Sequence, residues 1–408
     1  MKAMVIAHAH PDFSVGGAEI AAYNLFRVLK TRPGYEESIF LARSDLASQA
    51  HGSIMLRRPG EYLWRQDIGD WFRLRAQNPM AVMGVFREFL KTERPDVVFL
   101  HHYVHIGVEI LREIKLTLPD CILIVTLHEY FAICNRQGQM VKNSTKKLCY
   151  RESLEDCSNC FPERSPQDFW LRKHYIQKHF EYADAFVSPS EFLRQRYIEW
   201  GIPAEHIVVI ENGQPSPRPP KGAVPGALRT RFGFFGQITE YKGVEILLQA
   251  LHLMTPELRA KMIVEIHGAN LESQGHSFQE LIDTLRKPLI VEGILRWVGS
   301  YEQSELAQRM NRVDWVVVPS IWWENSPMVI QEAFANGKPV ICAGIGGMAE
   351  KVRDGVDGLH FEVRNPLDLV ETMSRAACEP GLWQNLKANV RAPLSFEQCA
   401  ESYLALVA

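Results

Sequence analysis

Ten short apolar runs recur along this chain, and they limit what it can fold into more than any other feature. "MVIAHAH", "DVVFLHH", "CILIVTLHEY", "DAFVSPS" and "HIVVIENG" lie in the first half. "RFGFFGQ", "MIVEIHG", "LRWVGS", "DWVVVPS" and "KPVICAG" lie in the second. Most are apolar throughout instead of alternating, the pattern of strands covered on both faces. Helical signals stand between them. Ala21, Leu25, Val28 and Leu29 form a stripe after "VGGAE". In "SPSEFLRQRYIEWG", Ser188 is read as the cap, Pro189 as the first helical residue, Glu191 as completing a capping box and Gly201 as the stop. Strands alternating with helices predict α/β architecture with doubly wound parallel sheets.

The chain has 408 residues, enough for two or three cores. The stretch "ENGQPSPRPPKGAVPG", residues 211–226, holds five Pro and can continue neither a helix nor a central strand. It predicts two Rossmann-like domains, 1–213 and 222–386, with a final amphipathic helix within 387–408 crossing back onto the first. A net charge of -3 gives no electrostatic reason to bind nucleic acid. No apolar stretch is long enough to span a bilayer, and "MKAMVIAHAH" lacks the features of a secretory signal, so a cytoplasmic protein is expected.

"ENSPMVIQE" sets two carboxylates, Glu324 and Glu332, around a mostly apolar run. A helix starting at Pro327, with Ser326 as its N-cap, leaves Glu324 in the loop after "DWVVVPS" and Glu332 in the second turn. Both then face the carboxyl edge of a parallel sheet, where such sheets bind ligands. The helix start offers free N–H groups to a phosphate. Carboxylates accept hydrogen bonds from hydroxyls, which suits a sugar and a ribose. Spacing alone is equally compatible with a local cap and a solvated charge.

The wider segment "PSIWWENSPMVIQEAFANGKPVI" resembles the donor-binding segment, with its E-x7-E pattern, of the retaining GT-B glycosyltransferases of family four. "FSVGGAEIAAYNL", "TLHEY", "VIENG", "FGFFGQITEYKG" and "GIGGMAEKVRDGVDGLHFE" resemble further segments of that family, in the family's order. The resemblance implies a GT-B fold, with the acceptor on the first domain and a nucleotide-diphosphate sugar on the second. It implies retaining sugar transfer to a glycan or lipid-linked saccharide, by metal-independent chemistry without a cofactor, in cell-surface polysaccharide synthesis. Glu324 would contact sugar hydroxyls and Glu332 the ribose, with Asn325, Ser326 and Pro327 holding the donor. Lys242, in "EYKG", would neutralise the leaving diphosphate. Gly236 and Gln237 belong to the same loop, and Gln237 stands where the family usually has Arg. Gly16 and Gly17 would let backbone approach the donor. His128, after "CILIVTL", would lie against the donor sugar as a catalytic residue with Glu324 and Lys242. Glu129 follows it without being assigned as the base. Each also has a plain structural reading: a surface Lys, a tight βα turn, a satisfied core His. Two alternatives keep the donor without the transfer: a non-catalytic nucleotide-sugar-binding protein, or a sugar-nucleotide epimerase of the same fold.

Three features stand apart. Gly344, Gly346 and Ala349 match G-x-G-x-x-A, but only about 60 residues follow, too few for a further dinucleotide domain, so a loop beside the donor phosphates is expected. Cys134, Cys149, Cys157 and Cys160 end in C-x-x-C, compatible with a structural zinc, free thiols or disulfides. Residues 57–75 mix five Arg with two Trp, and "FWLRKHYIQKHF" is similar. Such stretches suit a peripheral contact with an anionic membrane, at its inner face, as well as a cleft wall.

Overall fold

Every residue of Ala3–Ala7 (β1) is buried, which is the reason an unbroken apolar run can be a strand here. The computed structural model describes residues 1–14, 16–215 and 229–407. Residues 216–226 of the proline-rich stretch lie outside them.

The chain divides into two compact units, Met1–Gly213 with Leu394–Ala408, and Gln214–Pro393. In the first unit the strands are β1, Ile39–Ser44 (β2), Ile54–Arg58 (β3), Glu61–Arg65 (β4), Ile68–Asp70 (β5), Arg75–Ala76 (β6), Val97–Leu100 (β7), Ile122–Thr126 (β8), Ala185–Ser188 (β9) and Ile207–Val209 (β10). Eight of them form one sheet, in the order β10-β9-β8-β7-β1-β2-β4-β3, and β5 pairs with β6 apart from it. The eight-stranded sheet is parallel except for β3, which runs antiparallel to β4. The second unit holds Arg231–Phe235 (β11), Ile263–His267 (β12), Leu295–Gly299 (β13), Trp315–Val318 (β14), Val340–Ala343 (β15) and Gly358–Phe361 (β16). Their order is β13-β12-β11-β14-β15-β16, all parallel. Parallel neighbours need crossovers, and helices such as Gly17–Lys30 and Val244–Leu253 supply them. Each wholly buried Val or Ile in these strands contributes about 1.5–3 kcal/mol. Both units are Rossmann-like α/β domains.

In each sheet the chain order reverses once. The reversal falls between β1 and β7 in the first unit and between β11 and β14 in the second. Open α/β sheets form a crevice outside the carboxyl ends of the two strands at such a point.

The last helix, Phe396–Leu404, packs within the first unit. Tyr403 OH lies 3.0 Å from Thr126 Oγ1, and its ring meets Phe99 edge-on. The return to the first unit begins at Leu394, so residues 387–393 stay with the second.

One local reading is corrected. Ser190, not Ser188, caps Glu191–Trp200 through Leu193 N; the extended residues before it follow from Pro189. Residues 57–65 of the basic stretch lie in the β3–β4 hairpin. Trp64 is buried and stacked on Phe86, Arg57 and Arg58 pair with Asp12, and Arg73 pairs with Asp70.

Candidate functional site

In the second unit the sheet reversal places Lys242 and Glu324 together. Lys242 ends a short turn after β11, and Glu324 lies in the loop after β14. Gly243, between that turn and the helix Val244–Leu253, has φ +68, and a Cβ there would stand 1.9 Å from Pro319 O. Only glycine lets the Lys242 loop pack so closely on the end of β14.

Lys242 Nζ lies 2.5 Å from Glu324 Oε1. The same oxygen accepts from Ser320 Oγ at 2.8 Å and from Trp322 Nε1 at 3.0 Å. Glu324 is buried, and burial alone would raise its pKa; Lys242 and the two neutral donors outweigh that and hold it below the ordinary value. Glu324 is therefore a carboxylate at neutral pH. Its Oε2 has no hydrogen-bond donor among the described residues, so it can accept one from a ligand hydroxyl. Lys242 is partly exposed and keeps donor capacity toward an anion.

The helix Met328–Ala335 follows, with Pro327 at the N-cap position and no side-chain cap. The expected Ser326 cap is corrected. Ser326 N donates to Asn325 Oδ1, and its buried Oγ has no hydrogen-bond partner among the described residues. An uncapped helix start beside an unsatisfied hydroxyl is a ready anion site. Gly347 N donates to Glu324 O at 2.8 Å, and a Cβ on Gly347 would stand 1.8 Å from Asn325 O. The glycines of "GIGGMAE" thus hold the Glu324–Asn325 loop. Glu332, in the second turn, accepts from Gln303 Nε2 at 3.0 Å, and burial raises its pKa. Gly236 has φ +142 and follows β11, with Gln237 exposed next to it.

In the first unit, histidines gather at the reversal point. His8 follows β1, His101 and His102 follow β7, and His128 follows β8. His101 Nδ1 and His128 Nε2 are 3.1 Å apart. The His8 ring lies 4.2 Å from His102 and 5.9 Å from His105, centre to centre. Burial pushes His128 down to about 3 and His105 to about 4, each helped by His8, and holds His101 and His102 well below 6.5. These rings are neutral at pH 7 and can both donate and accept. Gly16 precedes the helix Gly17–Lys30, and a Cβ on it would stand 2.5 Å from Glu19 Oε2. Glu19 is buried against Ser14 Oγ at 2.7 Å and His8 Nε2 at 3.3 Å. Those contacts overcome burial and bring it to about 2. Glu129 is pushed by burial to about 7, although it accepts from Phe131 N.

Sequence reading found His128 and missed His8, Glu19, His101, His102 and His105. The available signal was positional, because "HAH" and "LHHYVH" both close apolar runs. None of the cysteines at 134, 149, 157 and 160 is in a disulfide, and among the described residues no three His, Cys, Asp or Glu groups converge in the way a metal site needs. Cys149 Sγ instead lies 3.3 Å from Arg151 O, and burial pushes the Cys157 thiol up to about 12. No helix among the described residues is long and apolar enough to cross a membrane.

Comparison with known proteins agrees with this arrangement. The family model for "Glycosyltransferase Family 4" matches residues 15–214, and that for "Glycosyl transferases group 1" matches 229–392. A D-inositol 3-phosphate glycosyltransferase of Actinosynnema mirum is 33% identical over 190 residues, 45% of this chain and 45% of that protein. The matched region thus spans less than half of that relative's length. A D-inositol 3-phosphate glycosyltransferase of Thermobispora bispora is 25% identical over 411 aligned positions, 93% of this chain and 86% of that one. Among solved structures, sucrose-phosphate synthase from Thermosynechococcus elongatus superposes with a TM-score of 0.71 at 16% identity, covering 100% of this chain and 98% of that one. Anabaena HepE in complex with UDP and glucose superposes with a TM-score of 0.64 at 17% identity, covering 100% and 99%. With both family models matching in sequence order on two Rossmann-like units of GT-B type, the chain belongs to glycosyltransferase family four, the glycosyl transferases group 1.

Proposed function

We propose that this protein transfers a sugar, with retention, from a nucleotide-diphosphate sugar to a glycan or lipid-linked saccharide, in cell-surface polysaccharide synthesis at the cytoplasmic face of the membrane. The observation that carries the donor reading is the Lys242–Glu324 pair at the sheet reversal, next to the uncapped start of Met328–Ala335. In this reading the ligand-free ion pair opens toward the donor. Lys242 turns to the diphosphate and Glu324 keeps a sugar hydroxyl on Oε2. The N–H groups of the helix start and Ser326 Oγ take a phosphate oxygen. Glu332 receives the ribose hydroxyls, and desolvation by the nucleotide strengthens each of these contacts. His128 serves as a neutral hydrogen-bonding group toward the sugar. Relatives of the same fold support the donor class, since HepE was solved with UDP and with UDP-glucose.

A thermal-shift screen with UDP, GDP, ADP and dTDP and their sugars tests the reading. A ligand at a hundred times its Kd adds about 2.7 kcal/mol. One nucleoside diphosphate and its sugar are expected to raise the melting temperature, and Glu332→Ala to lose that response. A protein indifferent to all of them would overturn the reading. Gln237 in place of the loop Arg favours a second reading, a nucleotide-sugar-binding protein without turnover. Release of nucleoside diphosphate from the bound donor separates the two.

A further inference from the structure

A cavity of about 620 Å³ opens in the first unit, within the size range of small-ligand sites, and nothing above uses it. Its walls come from four separate parts of the chain: the loop between β5 and β6, His105, residues 131–137, and residues 163–172. One side is aromatic. Trp71 is 43% exposed and stands edge-on to His105 at 4.9 Å and 6.4 Å from Phe131. The other side is polar, with Asn135, Gln137, Glu163 and Arg164. Arg164 stacks over Phe72 at 4.6 Å and has no carboxylate partner among the described residues.

The cavity is built at a conformational cost. Leu74, His105 and Gln137, with φ of +56, +68 and +49, all line it, and they are three of the eight non-glycine residues with positive φ among those described. Each such residue is strained and persists only where its surroundings over-determine it. The surroundings are visible. Arg172 is buried and donates through all three guanidinium nitrogens, to Phe72 O at 2.7 Å, Ala132 O at 2.6 Å and Phe131 O at 2.5 Å. One side chain thus pins both aromatic wall segments. Gly138, at φ +70, turns the next loop back so tightly that a Cβ would stand 3.0 Å from Phe131 N. That turn holds Gln137 at the rim. Strain gathered around one preorganised cavity is the signature of a ligand site.

We infer that this cavity binds a saccharide, with a pyranose ring stacked on Trp71 and its hydroxyls bonded to Asn135, Gln137 and Glu163. It is the acceptor pocket if the transferase reading above holds, on which that role rests. The C–H face of a pyranose is weakly electropositive and packs on the electron-rich face of an indole, while its rim of hydroxyls needs donors and acceptors together. The cavity offers both. An alkyl chain would leave the four polar side chains desolvated without partners. A diphosphate would meet the Glu163 carboxylate with Arg164 alone to balance it, since Arg172 is already spent on three carbonyls. Through Trp71 and His105 the pocket is continuous with the His8–His102 group at the carboxyl ends of β1 and β7. A bound saccharide would therefore lie beside those histidines. Arg172 acts as a positioning residue.

The test uses the full chain on an array of immobilised mono- to tetrasaccharides carrying neutral, amino and uronic sugars. UDP thermal shifts are measured in parallel on the same preparations. Wild type is expected to bind a subset of the sugars. Trp71→Ala should weaken that binding about tenfold, Trp71→Phe should keep most of it, and Gln137→Ala should change which sugars are bound. Arg172→Lys, which keeps the charge and loses the fork, should weaken binding to every sugar in the subset. UDP shifts should be equal in all variants. No saccharide bound by a protein that still responds to UDP, or binding indifferent to Trp71→Ala, overturns the pocket. Saccharide binding that depends on Trp71 in a protein deaf to every nucleotide keeps the pocket and sinks the transferase reading.

Discussion

At the residue scale, the second unit's site turns on one carboxylate oxygen. Glu324 Oε1 takes three donors while Oε2 takes none among the described residues. The Lys242 bond is charge-assisted and partly shielded from water, so it is worth more than a surface ion pair. A double-mutant cycle of Lys242→Met and Glu324→Gln is expected to give a coupling of about 1–3 kcal/mol in urea unfolding. Lys242→Met alone should be the worst of the three for stability, because it leaves a buried carboxylate with only neutral donors. A coupling near zero would mean that the pair is an accident of the ligand-free state. The sequence identified both residues separately. It could not identify their contact, since 82 positions part them and only the sheet reversal joins them.

Among the elements, glycines decide how closely loops approach. The stretch 344–349 reads from sequence as a loop near the donor phosphates, and the structure supplies the mechanics. Gly347 sits under the Glu324–Asn325 backbone, and a methyl group there would stand 1.8 Å from Asn325 O. Gly347→Ala must push that loop away from the start of Met328–Ala335. We expect it to abolish the nucleotide-induced thermal shift with a stability loss of only about 1–3 kcal/mol, as for other overpacked sites. Far-ultraviolet circular dichroism should be unchanged. An intact nucleotide response in that variant would show that the loop does not serve the ligand. In the basic stretch 57–75, hairpin pairing at the sheet edge takes Trp64 into the core, and Arg57, Arg58 and Arg73 pair with Asp12 and Asp70.

At the scale of the whole molecule, charge linkage predicts acid sensitivity. His101, His102, His105 and His128 have folded pKa values below 6.5, the last two at about 4 and about 3. As pH falls below 6.5, the unfolded chain takes up protons on all four while the fold resists them, so stability falls. Glu129 works the other way. Its folded pKa of about 7 lies above the usual 4.5, so its contribution grows as pH falls between these values. Glu245, also raised to about 7, and Glu152 and Glu332, both raised by burial, act in the same direction as Glu129. His267, lowered by burial, sides with the other histidines, so the net loss on acidification is smaller than the histidines alone would give. Below 4.5 Glu19, held near 2, adds to the loss. The urea midpoint is expected to be lower at about pH 5 than at about pH 7, with His102→Asn reducing the difference. Equal midpoints would mean that these rings are protonated in the fold.

The sequence by itself determined the two parallel sheets, because apolar runs without alternation must be covered on both faces and parallel strands need helical crossovers. It also determined the candidate donor residues, since Glu324, Glu332 and Lys242 sit in ordered local motifs that read within a dozen positions. Tertiary structure alone decided what those residues touch. The Lys242–Glu324 pair and the histidine group depend on which strands become neighbours at the reversal. The cavity around Trp71 depends on Arg172 tying together carbonyls 40 to 100 positions away. Local patterns report which surfaces must be buried. They carry no record of which distant segment does the burying, and the chemistry of this protein lies in those distant contacts.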